Sequence, residues 1–251
     1  MFPILEYDPT PTAILNPQAG KLNEAAPRRA VLCFFQDVLR ALAEEGKLVE
    51  IGSLGSEIGR NPLYRLDTPQ EPVLVVHPGV GAPLAAGFLE EVIALGCDRF
   101  VACGGCGVLR AEIAAGHPVV LTAAVRDEGT SYHYAPPARE IQADPRGVAA
   151  LEGVCRAAGI EYRLGKSWTT DAFYRETVER RRLRMEAGCD VVEMEAAAFF
   201  AVAAFRQVLF AQIVYGGDLV VPEGWDLRGW HKREDDRRLM FDLAVKAVQD
   251  L

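Results

Sequence analysis

The stretch Val191-Val192-Glu193-Met194-Glu195-Ala196-Ala197-Ala198-Phe199-Phe200-Ala201-Val202-Ala203-Ala204-Phe205 decides how the chain is read, because two carboxylates stand at the mouth of a segment otherwise apolar on every face. From Ala196 onward the run is alanine-rich and too long for an ordinary strand, the pattern of a helix buried inside a domain. Glu193 and Glu195 then fall at its first turn, where free backbone N–H groups and the positive end of the helix dipole favour ionised carboxylates. An ionised carboxylate only accepts, through two adjacent oxygens. It suits a ligand with neighbouring hydroxyl donors, such as the 2′ and 3′ positions of a ribose. The plainer reading has both acids capping the helix and facing water.

Length and composition frame that stretch. The chain has 251 residues, half of them apolar, enough for one well-buried α/β domain spanning residues 1–251. A net charge of −8 and the lack of a basic stripe argue against a nucleic-acid partner. The one dense basic run, Arg180-Arg181-Arg182 with Arg184, alternates with Glu176, Glu179 and Glu186, as on a solvated helix face or an intersubunit patch. No segment has the apolar length to span a membrane, and Met1 to Thr12 holds three prolines without a basic leader, so a soluble cytoplasmic protein is expected. Six cysteines lie mostly in apolar context. Cys103-Gly104-Gly105-Cys106 forms a CxxC, but no second pair or histidine cluster completes a ligand set, and no metal is expected.

Read in order, residues 1–30 are proline-rich and irregular, with Ile14-Leu15 the one hint of a strand. Helical spacing runs from Arg29 to Glu45, closed by Gly46 as a C-cap. Strands are expected at 48–54, 63–66 and 73–76, the last a continuous β-branched run as in a doubly covered parallel strand. It stops at His77-Pro78-Gly79-Val80-Gly81-Ala82-Pro83, a glycine loop feeding a helix from Leu84 to Leu95 whose N-terminus can meet an anion or polar ligand. The theme repeats with strand 99–103, turn 104–107 and helix 111–115. Two glycine loops at strand carboxyl ends are where open α/β sheets bind ligands. Strand 119–125 leads into the polar, aromatic loop 126–137; helix 146–158, strand 162–166, a second such loop at 167–177 and a charged helix to Gly188 follow. After the opening helix come strand 208–215, the turn Gly216-Gly217-Asp218, a tryptophan-rich loop and a closing helix from 234 to 249. This alternation predicts a three-layer α/β/α domain.

Gly79-Val80-Gly81, Phe100 to Gly107, the Arg126 to Pro137 loop, Asp171-Ala172-Phe173-Tyr174, Val192 to Ala197 and Gly217-Asp218 together resemble, in that order, the purine nucleoside/uridine phosphorylase family. The resemblance covers roughly residues 70 to 248, with residues 1–60 divergent. It implies a phosphorylase/hydrolase-like fold with a mixed central sheet, and a homo-oligomer: a dimer, a trimer of dimers or a hexamer. It also implies cleavage of an N-glycosidic bond by inorganic phosphate as co-substrate, with no other cofactor. It places Glu193, Met194 and Glu195 on the ribose and Cys106 and Gly107 on the pocket wall. Phe173 becomes the aromatic stacked on the base; a plain core phenylalanine is the alternative. Asp218 becomes the acid at purine N7, where a carboxyl group meets the negative charge developing on the departing base. To act so it needs apolar enclosure, which Tyr215, Val220 and Trp225 are placed to give. The alternative is an aspartate serving only its turn. Asp218 points to purine, whereas the 126–137 loop resembles the uridine branch.

The chain departs from the family at the phosphate site. The amino-terminal Gly-Asp-Pro motif is absent, the arginine position is Ala102 and the hydroxyl position is Gly105. Gly79, Gly105, Arg60 lent by a neighbouring subunit, and Arg126 or Arg175 are the remaining candidates, because an enclosed dianion needs cationic partners. A hydrolytic nucleosidase, with Glu193 or Glu128 holding water, and a nucleoside-binding protein without catalysis are the competing readings.

Overall fold

The computed structural model describes residues 2–17 and 22–251, so the irregular reading of 18–21 falls outside the described residues. The amino-terminal half runs β1 (Arg29–Cys33), α1 (Gln36–Glu44), β2 (Leu48–Ser56), β3 (Gly59–Leu66), β4 (Val73–Val76), α2 (Ala82–Ala94), β5 (Arg99–Val108) and β6 (Pro118–Asp127). It continues through β7 (Glu140–Gln142), α3 (Pro145–Ala157), β8 (Arg163–Thr170), α4 (Val178–Glu186), β9 (Cys189–Glu193), α5 (Ala196–Arg206), β10 (Leu209–Val221), β11 (Gly224–Asp226) and α6 (Glu234–Gln249).

Among the described residues the strands form one mixed sheet. Strand β1 lies between β4 and β5, parallel to both, and Ala30 to Cys33 are fully buried there. The hairpin β2–β3 extends this half antiparallel to β4. The other half closes on itself: β5 pairs with β10, β10 with β6, β6 with β8, β8 with β9, and β9 returns to β5 at Gly107 and Val108. Helices α2 and α5 cover one face, where Phe88, Leu89, Phe199 and Phe200 pack on Phe100 and Val214. On the other face α1, α3 and α6 bury Leu39, Leu151 and Phe241 against Val31, Val101 and Tyr215. These are the three layers expected of an α/β/α sandwich, with a ring of strands set into the middle layer.

Several boundaries differ from the sequence reading. The helical spacing from Arg29 hides a strand: Ala30, Val31 and Leu32 are flanked on both sides by parallel neighbours, and tertiary pairing overrides the periodicity. Gly104 to Gly107 and Gly216 to Asp218 do not form turns; both stay extended because β5 and β10 pair with each other through them, with a register shift after Gly216. Residues 111–115 make no helix, five residues being too few to repay nucleation. Ile14 and Leu15 are exposed and unpaired with any strand. Gly46 has φ +70° and ends α1 as expected.

Packing of α3 on the ring gives a stability test in which two effects oppose each other. Gly147 is buried in α3, and a Cβ there would stand 2.8 Å from both the Ala211 Cβ and the Phe210 carbonyl oxygen. Helix propensity favours alanine by about 1 kcal/mol, but backbone of a central strand cannot give way and overpacking costs about 1–3 kcal/mol. Gly147→Ala is therefore expected to lower stability by up to about 2 kcal/mol in urea unfolding. An unchanged or raised midpoint contradicts this packing.

Candidate active site

Strand β9 ends and α5 begins at one buried corner. Glu193 Oε1 accepts from the hydroxyls of Ser167 (2.7 Å) and Thr169 (2.6 Å), both on β8. Its Oε2 accepts from the backbone N–H groups of Glu195 (2.7 Å) and Ala196 (2.6 Å). Both oxygens are thus engaged by protein, and it is Glu193 that caps α5. Thr169 takes part twice, since its Oγ1 also accepts from Ala197 N–H at 3.0 Å. Neither acid faces water, contrary to the plainer reading of the sequence: Glu193 and Glu195 are 7% and 6% exposed.

Glu195 occupies the N-cap position but does not cap. Its Oε1 accepts instead from Gly81 N–H at 2.6 Å, across the site at the start of α2. Burial, and then the charge of Glu193, push the Glu195 carboxyl up to about 8. The expectation that both acids stay ionised is corrected here. Burial raises Glu193 too, opposed by its four hydrogen-bond donors, whereas Glu195 has weaker compensation and keeps its proton near neutrality. Met194, between them, is partly buried.

A second group gathers around Gly107, opposite Val192 in the β5–β9 pairing. A Cβ on Gly107 would meet Val192 Cγ1 at 2.9 Å, Val220 Cγ2 at 3.4 Å and Asp218 Oδ2 at 3.5 Å, so the absent side chain leaves the room that Asp218 uses. Burial raises the neighbouring Cys106 thiol, and the charges of Asp218 and Glu193 raise it further. Cys106 Sγ lies 3.3 Å from the Tyr215 carbonyl, and Cys103 packs on the opposite face of the sheet; the CxxC thiols do not converge. Arg228 holds this end of β10, donating to the carbonyls of Gly217 (3.0 and 2.7 Å) and Ile113 (2.9 Å). Tyr215 gives Asp218 no enclosure: it packs with Phe35 and α6, and its hydroxyl donates to Trp230 O at 2.9 Å.

Glu176 is the residue that the sequence reading missed. It follows the turn Phe173–Arg175, and burial, with a smaller contribution from the Asp218 charge, pushes its carboxyl up to about 7. Counting it with Glu179 and Glu186 hid it. Thr177 is the N-cap of α4, its Oγ1 accepting from Arg180 N–H, so Glu176 stands outside the helix. The capping signal of Thr177 was legible and separates the two groups. Phe173 sits in the same turn, half exposed and 4.3 Å from the Tyr174 ring centre.

The residues assigned to phosphate are not brought together. Gly79 N–H is directed to His77 Nδ1 (3.0 Å) and Gly81 N–H to Glu195, so both N–H groups of the glycine loop already have partners. Burial holds His77 below its usual range, and it adds no charge there. Ala102 is fully buried, and a side chain at Gly105 would point to the Tyr215 ring, on the α6 side. Arg60 pairs with Glu50 on the exposed β2–β3 hairpin. Arg126 is buried, donates to Ser131 Oγ (2.8 Å), Pro136 O (2.7 Å) and Ala135 O (3.1 Å), and lies over the Tyr132 ring; it organises its own loop. Glu128 is bound to Ser131 in that loop, and Arg175 is exposed. Two surface clefts, of about 330 Å³ beside Arg126 and Arg139 and about 430 Å³ beside Arg110 and Arg182, include neither Glu195 nor Asp218 in their walls.

The architecture around these acids is a mixed sheet with a closed ring, two glycine-rich strand ends and a buried helix opening on two glutamates. Residues 28–247 match the family model described as the phosphorylase superfamily, and the chain belongs to that superfamily. It is 30% identical over 223 residues to a uridine phosphorylase of Treponema pallidum, covering 82% of this chain and 85% of that one. It is 36% identical over 129 residues to a guanosine phosphorylase of Halorubrum lacusprofundi, a match spanning 51% of this chain and 54% of that protein. Among solved structures, a purine nucleoside phosphorylase from Toxoplasma gondii in complex with immucillin-H shares the fold, with a TM-score of 0.78 at 22% identity, covering 94% and 96% of the two chains.

The Glu195 carboxyl makes stability depend on pH. Its native pKa of about 8 lies above the ordinary 4.5, so between these values the folded chain binds more protons than the unfolded one. This contribution is complete below the unfolded pKa and is lost as pH rises through about 8. Wild-type stability is expected to fall from pH 5 to 8 by up to about 1.4 kcal/mol per pH unit more than that of Glu195→Gln. Parallel curves for the two proteins in urea unfolding contradict the assignment.

Proposed function

We propose that this chain cleaves the N-glycosidic bond of a purine nucleoside with inorganic phosphate, giving the free base and ribose 1-phosphate. The observation that carries the reading is Asp218 on β10, beside Gly107, and Glu193 at the end of β9, the two strands that flank this end of β5, with Glu195 at the start of α5. In this reading the Glu195 carboxyl meets the ribose hydroxyls and Phe173 stacks on the base. The bond from C1′ to the base nitrogen breaks, its electron pair leaves with the base, and Asp218 supplies the hydrogen bond or proton that stabilises the departing ring at N7. A phosphate oxygen forms the new bond to C1′. The purine preference rests on Asp218 and is supported by the guanosine phosphorylase relative.

Phosphate needs a cation in this reading, and a second copy of the chain supplies it. Arg60 is the candidate, since its pairing with Glu50 is exposed and weakly held. The residues form a single domain in a homo-oligomer. One observation favours water instead: Arg126 is committed to its own loop, and the glycine-loop N–H groups of Gly79 and Gly81 already have partners. In that second reading Glu195 or Glu176 orients the water.

Inosine, guanosine, adenosine and uridine, each incubated with and without phosphate, decide between the two. Phosphate-dependent release of base with ribose 1-phosphate is expected, and free ribose formed at the same rate without phosphate replaces it by hydrolysis. Asp218→Asn is expected to lower kcat about 10²- to 10³-fold with KM changed only a few-fold. Unchanged turnover removes Asp218 from the chemistry.

A further inference from the structure

We infer that Trp225, carried on the β10–β11 hairpin, is the positioning residue of Asp218. The inference rests on the proposed reading that Asp218 faces the base. Beyond the ring, Leu219–Val221 of β10 pairs antiparallel with Gly224–Asp226, and Val220 stands opposite Trp225. Side chains alternate along a strand, so Asp218, Val220 and Trp225 share one face, the face turned to Gly107. On that face Trp225 Nε1–H donates to Asp218 Oδ2 at 2.6 Å. Among the described residues no other donor reaches the Asp218 carboxyl group, which leaves Oδ1 for a ligand.

Burial does not explain where Trp225 sits, because 64% of it is exposed. A side chain so large normally hides more of its surface. Its N–H is what the position uses. The hairpin that presents it is fastened at two points: Arg181 of α4 donates to Val220 O at 2.6 Å, and Arg228 grips Gly217 O at the near end. Glu176, raised by burial and then by the Asp218 charge, stands in the turn before α4, the helix that carries Arg181. This indole tether fixes one carboxyl oxygen of Asp218 and thereby aims the other.

Trp225→Phe keeps an aromatic ring and removes the donor. Steady-state release of base from inosine and guanosine is expected to show kcat lowered about tenfold or more, with KM within about threefold, as befits loss of aim rather than of binding. Combined with Asp218→Asn, the substitution is expected to add less than about twofold, because residues acting as one unit are not additive. A merely structural tryptophan would instead shift the urea midpoint and leave the ratio of kcat to KM effects unsorted. If Trp225→Phe does not fold, the indole N–H resonance decides: in unliganded protein it is expected to move on Asp218→Asn, and a resonance that does not move overturns the tether. A wild-type protein active on nucleosides whose Trp225→Phe variant matches it in kcat overturns the inference alone. A wild type that releases no base from any nucleoside, with or without phosphate, overturns the proposed function as well.

Discussion

The Glu193 carboxylate accepts from the hydroxyls of Ser167 and Thr169 and from the N–H groups of Glu195 and Ala196, joining β8, β9 and α5 at one buried point. Hydrogen bonds to a charged group contribute about 1.5–3 kcal/mol each, and a buried carboxylate without them would be intolerable. The constraint works in both directions. The buried carboxyl group needs the donors, and the start of α5 needs an acceptor, since Glu195 at the N-cap gives it none. With Glu193 satisfied in this way, Glu195 is left to reach toward Gly81, and the cleft acquires a carboxyl group held by a single backbone donor at its Oε1.

Charge balance then limits what the cleft accepts. Glu176, Glu193, Glu195 and Asp218 crowd one region, and burial raises the first three. Arg181 of α4 and Arg228 beyond β11, basic side chains that reach β10, are turned to its backbone carbonyls. A ligand rich in donors, such as a sugar with free hydroxyls and a heterocycle, fits this surplus of acceptors better than an anion does. An anionic co-substrate finds no free positive charge among these side chains.

Much of this was legible in the sequence. The apolar run after Glu195 announced a buried helix, and the valines of β4 a doubly covered strand, because burial on all faces writes itself as unbroken hydrophobicity. Position by position, Asp218 lies beside Gly107, and Glu193 follows Val192, the partner of Gly107 on β9. What the sequence hid was long-range pairing. Glycines 104, 105, 107, 216 and 217 look like turns, yet the two strands that carry them hold each other extended. Ala30 to Leu32 look helical until β4 and β5 close on them. Ionisation was misjudged for a related reason: the helix dipole can be read locally, whereas desolvation depends on what covers the group. Arg126 looked like a free cation because its partners, the carbonyls of Ala135 and Pro136, are backbone atoms that no residue pattern reveals.

The circuit β5–β10–β6–β8–β9 has no ends. In an open sheet an outer strand can peel away and close again while the rest stays put, but here any strand that leaves breaks ladders on both sides. Glu193 on β9 and Asp218 on β10 both flank β5, so neither seat can melt by itself. Amide protons around the circuit should consequently trade with deuterium as one slow cooperative block, while the exposed hairpin β2–β3 exchanges ahead of it. Local opening is left to segments outside the circuit, and the frame they rest on behaves as a hoop.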